Sequence, residues 1–168
     1  MEFDGYLWSS ISLGRYLRSP DHGQTWERLP TSEIERVNDW AVFNNRLYVA
    51  GGDGIGRWND EARNWEYPME GLPTSTRANP WVHTLAVHEG RLFAGLEQGV
   101  HVFDERAKTW FSVGLDKLEV HALLSYAPAL YASAGNDGIY RAEIPKIQPH
   151  RKMVTTWSRV KQGILTKD

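Results

Sequence analysis

Hydrophobic residues in this chain fall in short runs, rich in aromatic and β-branched side chains and cut by Gly, Asn, Asp and Pro. Runs of that length and makeup predict β-strands bounded by turns. Val37 to Phe43, Val82 to His88 and Val120 to Tyr126 are three of them, with a similar spacing from one to the next. Downstream of each lies a second apolar run: Arg46-Leu47-Tyr48-Val49, Arg91-Leu92-Phe93-Ala94 and Ala129-Leu130-Tyr131-Ala132. A fourth version, Gly5-Tyr6-Leu7-Trp8, stands near the N-terminus. Small residues follow every time, and then a Gly-led strand beginning at Gly14, Gly54, Gly99 or Gly138. No long stretch carries a 3.6-residue period, so helix content is expected to be low.

The pattern closes with a tryptophan. Trp26, Trp65, Trp110 and Trp157 lie 39, 45 and 47 residues apart, each preceded by Thr or Asn. Four strands in roughly 40 residues, repeated, is the arithmetic of a β-propeller blade. The fold class expected is therefore all-β: a β-propeller of about four four-stranded blades, either complete or a partial propeller completed by oligomerisation. The chain reads as a single domain over 1–168, with repeat units at about 1–34, 35–72, 73–116 and 117–168. Calling the strands a (innermost) to d (outermost), units two to four show all four, whereas the first begins directly at strand b. The segment from Glu143 to Thr155 reads as an insertion in the last c–d turn, with Pro145 and Pro149 blocking regular structure.

Ahead of Trp26 stands Ser19-Pro20-Asp21-His22-Gly23-Gln24-Thr25-Trp26. Asp21 and Ser19 can accept hydrogen bonds from turn N–H groups, Gly23 permits a positive φ, and Trp26 opens the next strand. All five fixed positions, Ser19, Asp21, Gly23, Thr25 and Trp26, match the Asp-box, so the octet resembles the BNR-repeat family of β-propellers. The later boxes are worn: the second keeps Asp60 and Trp65, and the third has Asp104 one place early before Trp110. Gly51-Gly52 and the Asp104 to Trp110 spacing are also similar to the kelch family. Both resemblances imply the same four-stranded blade. BNR repeats also occur in sialidases, whose three arginines, Tyr nucleophile and Glu partner cannot be placed here on Tyr48, Tyr131 or Glu97. No Phe-Arg-Ile-Pro-like motif stands near the N-terminus, and no hydrolase, zinc-protease or phosphate-loop motif is present.

Composition narrows the function classes. Eight Trp among 168 residues favour an aromatic-packed fold over disorder, and a net charge of −2 gives no electrostatic case for nucleic acid or an anionic membrane. The absence of Cys removes disulfides, zinc-thiolate sites and thiol nucleophiles. The first residues lack a signal-peptide pattern, and no apolar run approaches the roughly 18 residues of a membrane span. A soluble, cytoplasmic protein is the default expectation, or an extracellular one if the chain is part of a longer secreted protein.

In a propeller the b–c and d–a connections share one face, where ligands usually bind. The b–c turns there carry Asp53 and Asp137, each followed by Gly, which turn chemistry alone can explain. Trp81, after Asn79-Pro80, is the candidate aromatic contact. Aligning Val37, Val82 and Val120 puts Asn38, His83 and His121 at one repeat position near the axis. Two imidazoles and an amide could hold a divalent metal or an anion, or could simply pack between blades. The sequence points to no cofactor and to no definite metal site. The Asp-box turns fall on the opposite face and are expected to be structural.

The reading is a non-catalytic BNR-like scaffold or binding module for a protein, peptide or glycan. The alternative is a fragment of a sialidase-like or other propeller glycosidase or lyase, its catalytic residues partly on absent blades. The first unit's missing inner strand and the uncovered outer faces of an open arc suggest a homodimer closing a ring. The competing arrangement pairs Ile164-Leu165 beside Tyr6-Leu7-Trp8 within one chain.

Overall fold

A computed structural model describes residues 1–74, 79–144 and 155–160. They form four four-stranded antiparallel sheets in chain order. The first comprises β1 (Glu2–Phe3), β2 (Tyr6–Ile11), β3 (Arg15–Ser19) and β4 (Glu27–Arg28), and the second β5 (Val37–Phe43), β6 (Arg46–Gly51), β7 (Gly54–Asn59) and β8 (Asn64–Glu66). The third holds β9 (Val82–His88), β10 (Arg91–Leu96), β11 (Gly99–Asp104) and β12 (Thr109–Gly114). The fourth holds β13 (Ala122–Tyr126), β14 (Ala129–Ser133), β15 (Ile139–Glu143) and β16 (Trp157–Arg159). Among the described residues the helical element is one short 3₁₀ turn, Gly135–Asp137. The low helix content and the four-bladed propeller architecture both agree with the repeat pattern. Most of the 143–155 segment and the Ile164-Leu165 tail lie outside the described residues.

One expectation is corrected. The first blade does have an innermost strand: Glu2 pairs with Leu7 and Phe3 with Tyr6, and the Trp8 N–H donates to the Met1 carbonyl at 2.7 Å. Two residues are too short to show alternation. The turn that makes the strand, Asp4-Gly5, has φ of 51° and 76°. Positive φ at both central positions is the type I′ hairpin geometry that follows the twist of the strands it joins. Asn44-Asn45 (47° and 53°) and Glu89-Gly90 (47° and 70°) make the same a–b turn in blades two and three.

The core lies between blades rather than within them. Trp8, Tyr16, Leu47, Val49, Trp58 and Trp65 fill the first interface, and Tyr48, Ile55, Leu92, Phe103 and Trp110 the second. Phe93, Val100, Val113, Leu130 and Ala142 fill the third, with Trp157 packed against them. Side chains on a strand alternate between faces, so each middle blade contributes one face to each neighbour. Trp65, Trp110 and Trp157 each wedge backward onto the preceding blade, the latter two donating to the carbonyls of Pro68 and Val113.

The end blades break the pattern on their far sides. In the fourth, Leu124 is 62% exposed, Tyr126 71% and Ile139 51%. Their repeat counterparts Ala41 and Ala86, Phe43 and His88, and Ile55 and Val100 are all buried. In the first, Trp26 is 43% exposed where its counterparts Trp65 and Trp110 are buried. Trp26 immediately precedes β4 instead of lying within it. Among the described residues the four blades leave apolar side chains uncovered at both ends: Leu124, Tyr126 and Ile139 on the fourth sheet and Trp26 beside the first.

Candidate functional site

The face that carries the b–c and d–a connections gathers residues from three blades. Its anchor is the connection 115–121 between the third and fourth sheets. Gly99 N–H donates to the Leu118 carbonyl at 2.9 Å, Val120 N–H to Leu96 O at 2.8 Å and His121 N–H to Ser133 O at 2.9 Å. Val120 is fully buried, and Gly95 leaves room for it, since a Cβ at 95 would stand 2.8 Å from a Val120 methyl carbon. With both flanking residues pinned, Glu119 is held at the surface, its side chain 49% exposed.

Its carboxylate meets two histidines. Glu119 Oε1 lies 2.9 Å from Nε2 of His83, which enters at the start of β9, and Oε2 lies 3.9 Å from Nε2 of His121. The two imidazole rings are tilted, with centroids 4.9 Å apart. His83 Nε2 is buried and near the carboxylate, but its N–H direction does not meet hydrogen-bond alignment. Burial holds the His83 imidazole below the usual histidine range, and the Glu119 carboxylate offsets this only in part. Gly135 lies behind the pair: a Cβ there would stand 3.3 Å from His121 Nε2.

Of the three residues aligned at one repeat position, two converge and one does not. His83 and His121 come together. Asn38 instead turns to the next blade, donating from Nδ2 to the Val82 carbonyl at 2.8 Å while staying exposed. Glu119 is the third member of the cluster. It stands in a connection with no strand period to mark it, and only the backbone bonds of 118–121 bring it to the histidines.

Trp81 extends this row. Its ring centroid is 6.2 Å from that of His83, and the Arg36 guanidinium lies 5.9 Å from the Trp81 ring, within cation–π range. Gly52 forms the floor, where a Cβ would stand 3.3 Å from the indole. Asp53 accepts from Glu35 N–H at 3.3 Å, tying the β6–β7 turn to the connection between the first two sheets, and Asp137 sits exposed in the 3₁₀ turn.

The Ser19 to Trp26 turn lies at the opposite end of the strands and satisfies itself. Ser19 Oγ accepts from Gly23 N–H at 2.7 Å and donates to Asp21 Oδ1 at 2.8 Å. Asp21 takes the Thr25 hydroxyl on Oδ2 at 2.6 Å and the Thr25 N–H on Oδ1 at 2.8 Å. The Trp26 indole N–H donates to Gly23 O at 3.1 Å. The Thr25 hydroxyl and N–H, with Ser19, hold the Asp21 carboxyl down at about 2. Every acceptor here is used locally, which is the chemistry of a turn.

Comparisons with known proteins support the architecture. No protein-family profile matches the sequence. An F-box/kelch-repeat protein of Arabidopsis thaliana is 30% identical over 121 residues, covering 70% of this chain and 27% of that protein. The chain therefore spans about a quarter of the length of the curated relative it matches. Among solved structures, the extracellular domain of a one component system from B. thetaiotaomicron superposes with a TM-score of 0.73 at 15% identity, over 95% of this chain and 21% of that one. YCF48 bound to D1 peptide gives a TM-score of 0.58 at 15% identity, over 83% of this chain and 47% of that one. Together they place the chain among β-propeller proteins.

Proposed function

We propose that this propeller module is non-catalytic and binds a protein or peptide across the face carrying Arg36, Trp81, His83, Glu119 and His121, its first repeat being of the BNR type. The observation that carries the reading is the continuous row itself. A guanidinium over an indole, two imidazoles and an exposed carboxylate offer flat aromatic area together with charges of both signs. Such a surface suits an extended peptide, and aromatic and Arg anchors carry most of the energy at interfaces. A structurally similar propeller is described with a bound peptide. Peptide and glycan arrays, with a glycosidase assay on the same preparation, test the reading. Peptide binding that weakens by about 2 kcal/mol in Trp81→Ala supports it. Glycosidase turnover, or binding indifferent to Trp81, would overturn it.

We further propose that two copies join head to tail into a ring of about eight blades. The support is the pair of uncovered faces. Leu124, Tyr126 and Ile139 stand exposed where blades two and three bury the same repeat positions, and Trp26 stands exposed where Trp65 and Trp110 are buried. Because β1 already pairs with part of β2, the junction would be face against face, as between internal blades, with no strand addition. Two such arcs cover all their exposed end faces at once. Light scattering at micromolar concentration should give a dimer mass; a single-chain mass unchanged on dilution would overturn the assembly.

A further inference from the structure

We propose that His83, Glu119 and His121 form a divalent transition-metal site that clips the third blade to the fourth. Each offers one ligand atom, and the three atoms lie within 4.8 Å of one another. Two imidazole nitrogens with one carboxylate oxygen form a donor set that suits zinc and its neighbours. Calcium and magnesium prefer all-oxygen shells. Tetrahedral metal–ligand bonds of roughly 2.0–2.2 Å hold donor atoms about 3.3–3.6 Å apart, between the 2.9 and 3.9 Å at which the Glu119 carboxylate meets His83 and His121. Small side-chain rotations reach that geometry, because Glu119 and His121 are about half exposed and free to move.

The scaffold of the site is rigid where it matters. His83 enters on β9, while Glu119 and His121 sit either side of buried Val120, whose N–H is fixed to Leu96 O. The ligands therefore come from one strand of blade three and the connection leading into blade four. The buried His83 Nε2 has the Glu119 carboxylate 2.9 Å away, and a bound metal ion would take the place between them. The half-exposed side of the cluster leaves a fourth position for water on the same face as Trp81. The inference does not depend on the peptide reading, because a metal can clip the blades with no ligand bound.

Cobalt(II) titration of the chelator-stripped chain, read by visible absorption, tests the site, with zinc as competitor. The expected result is one saturable cobalt per chain, displaced by zinc, and a raised melting temperature with either ion. Glu119→Gln and His121→Ala should each weaken binding about tenfold or more. His22→Ala, in the opposite-face turn, should leave it unchanged. Circular dichroism of the metal-free variants verifies that each is folded. No saturable binding, or binding equally strong in Glu119→Gln, would overturn the site.

Discussion

The carboxylate of Asp39 on β5 accepts a hydrogen bond from the Thr84 hydroxyl on β9 at 2.9 Å, joining the innermost strands of two blades. The same oxygen also accepts from Leu85 N–H at 2.8 Å, and Thr84 Oγ1 in turn accepts from Leu123 N–H at 3.4 Å. With Asn38 on the Val82 carbonyl, these bonds stitch three successive inner strands without any sheet pairing between them. Asp39→Ala removes the acceptor and strands the Leu85 N–H. It should cost about 1–3 kcal/mol, measured by urea unfolding, while Asp39→Asn, which keeps one acceptor oxygen, should cost less. A loss near zero for Asp39→Ala would mean that the bonds contribute little.

Repeat-equivalent tryptophans should not be energetically equivalent. Trp110 is 1% exposed and fills the second interface, so Trp110→Ala should cost about 3–5 kcal/mol. Trp26 lies 43% exposed against its own turn, and Trp26→Ala should cost about 1 kcal/mol in the single chain. Unfolding curves recorded at low protein concentration make the comparison. Similar losses would show that Trp26 is packed against something the arc does not contain.

The blade plan was legible because burial between blades repeats: each strand's alternation survives in the sequence, and the bounds of β5 and β9 follow from it directly. The two-residue β1 was not, since pairing there rests on the Asp4-Gly5 turn and on too few side chains to form a pattern. His83 and His121 could be found because they share a repeat position. Glu119 could not, because a connection has no periodicity and its placement is decided by the tertiary bonds of its neighbours. For Asn38 a shared repeat position left both ligand binding and packing open, because a shared position is not a shared environment. Asn38 has blade three to donate to.

Asp21 should act on stability and not on ligand binding. Its carboxyl is depressed to about 2 in the fold, so its contribution is complete above the ordinary carboxylate value of about 3.9. It is lost as pH falls from there through about 2. Asp21→Ala should lower the melting temperature by a few degrees at pH 7 and by less at pH 2. A loss of peptide binding with the melting temperature intact would make this turn a site instead.

Three histidines should weaken the fold in mild acid. Burial depresses the imidazoles of His101, His88 and His83 below the usual range, with Asp116 pulling His101 back only in part. A base whose folded-state value is lowered takes up its proton first in the unfolded chain. Stability should therefore fall as pH drops below about 6.5, and go on falling until the folded-state values are reached. His101 is buried, and its Nδ1 has no hydrogen-bond partner. His101→Phe should flatten the decline between about pH 6.5 and 5, followed by thermal melts across that range. An unchanged slope would place the protons elsewhere.

Val100 and Ile139 hold the same repeat position, on β11 and β15, and give the sharpest separation of folding from assembly. Val100 is fully buried in the third interface, while Ile139 is 51% exposed on the far face of the fourth blade. An aspartate at the first position buries a charge with no partner, so Val100→Asp should cost more than about 4 kcal/mol and leave little folded protein. Ile139→Asp should change the stability of a single chain by no more than about 0.5 kcal/mol. If the far faces join two arcs, the same substitution places a charge in the centre of each junction, and the dimer should dissociate while each chain stays folded. Light scattering and circular dichroism on one Ile139→Asp sample read both effects. A dimer that persists would move the contact away from this face, and unfolding of the single chain would mean that Ile139 supports the blade itself.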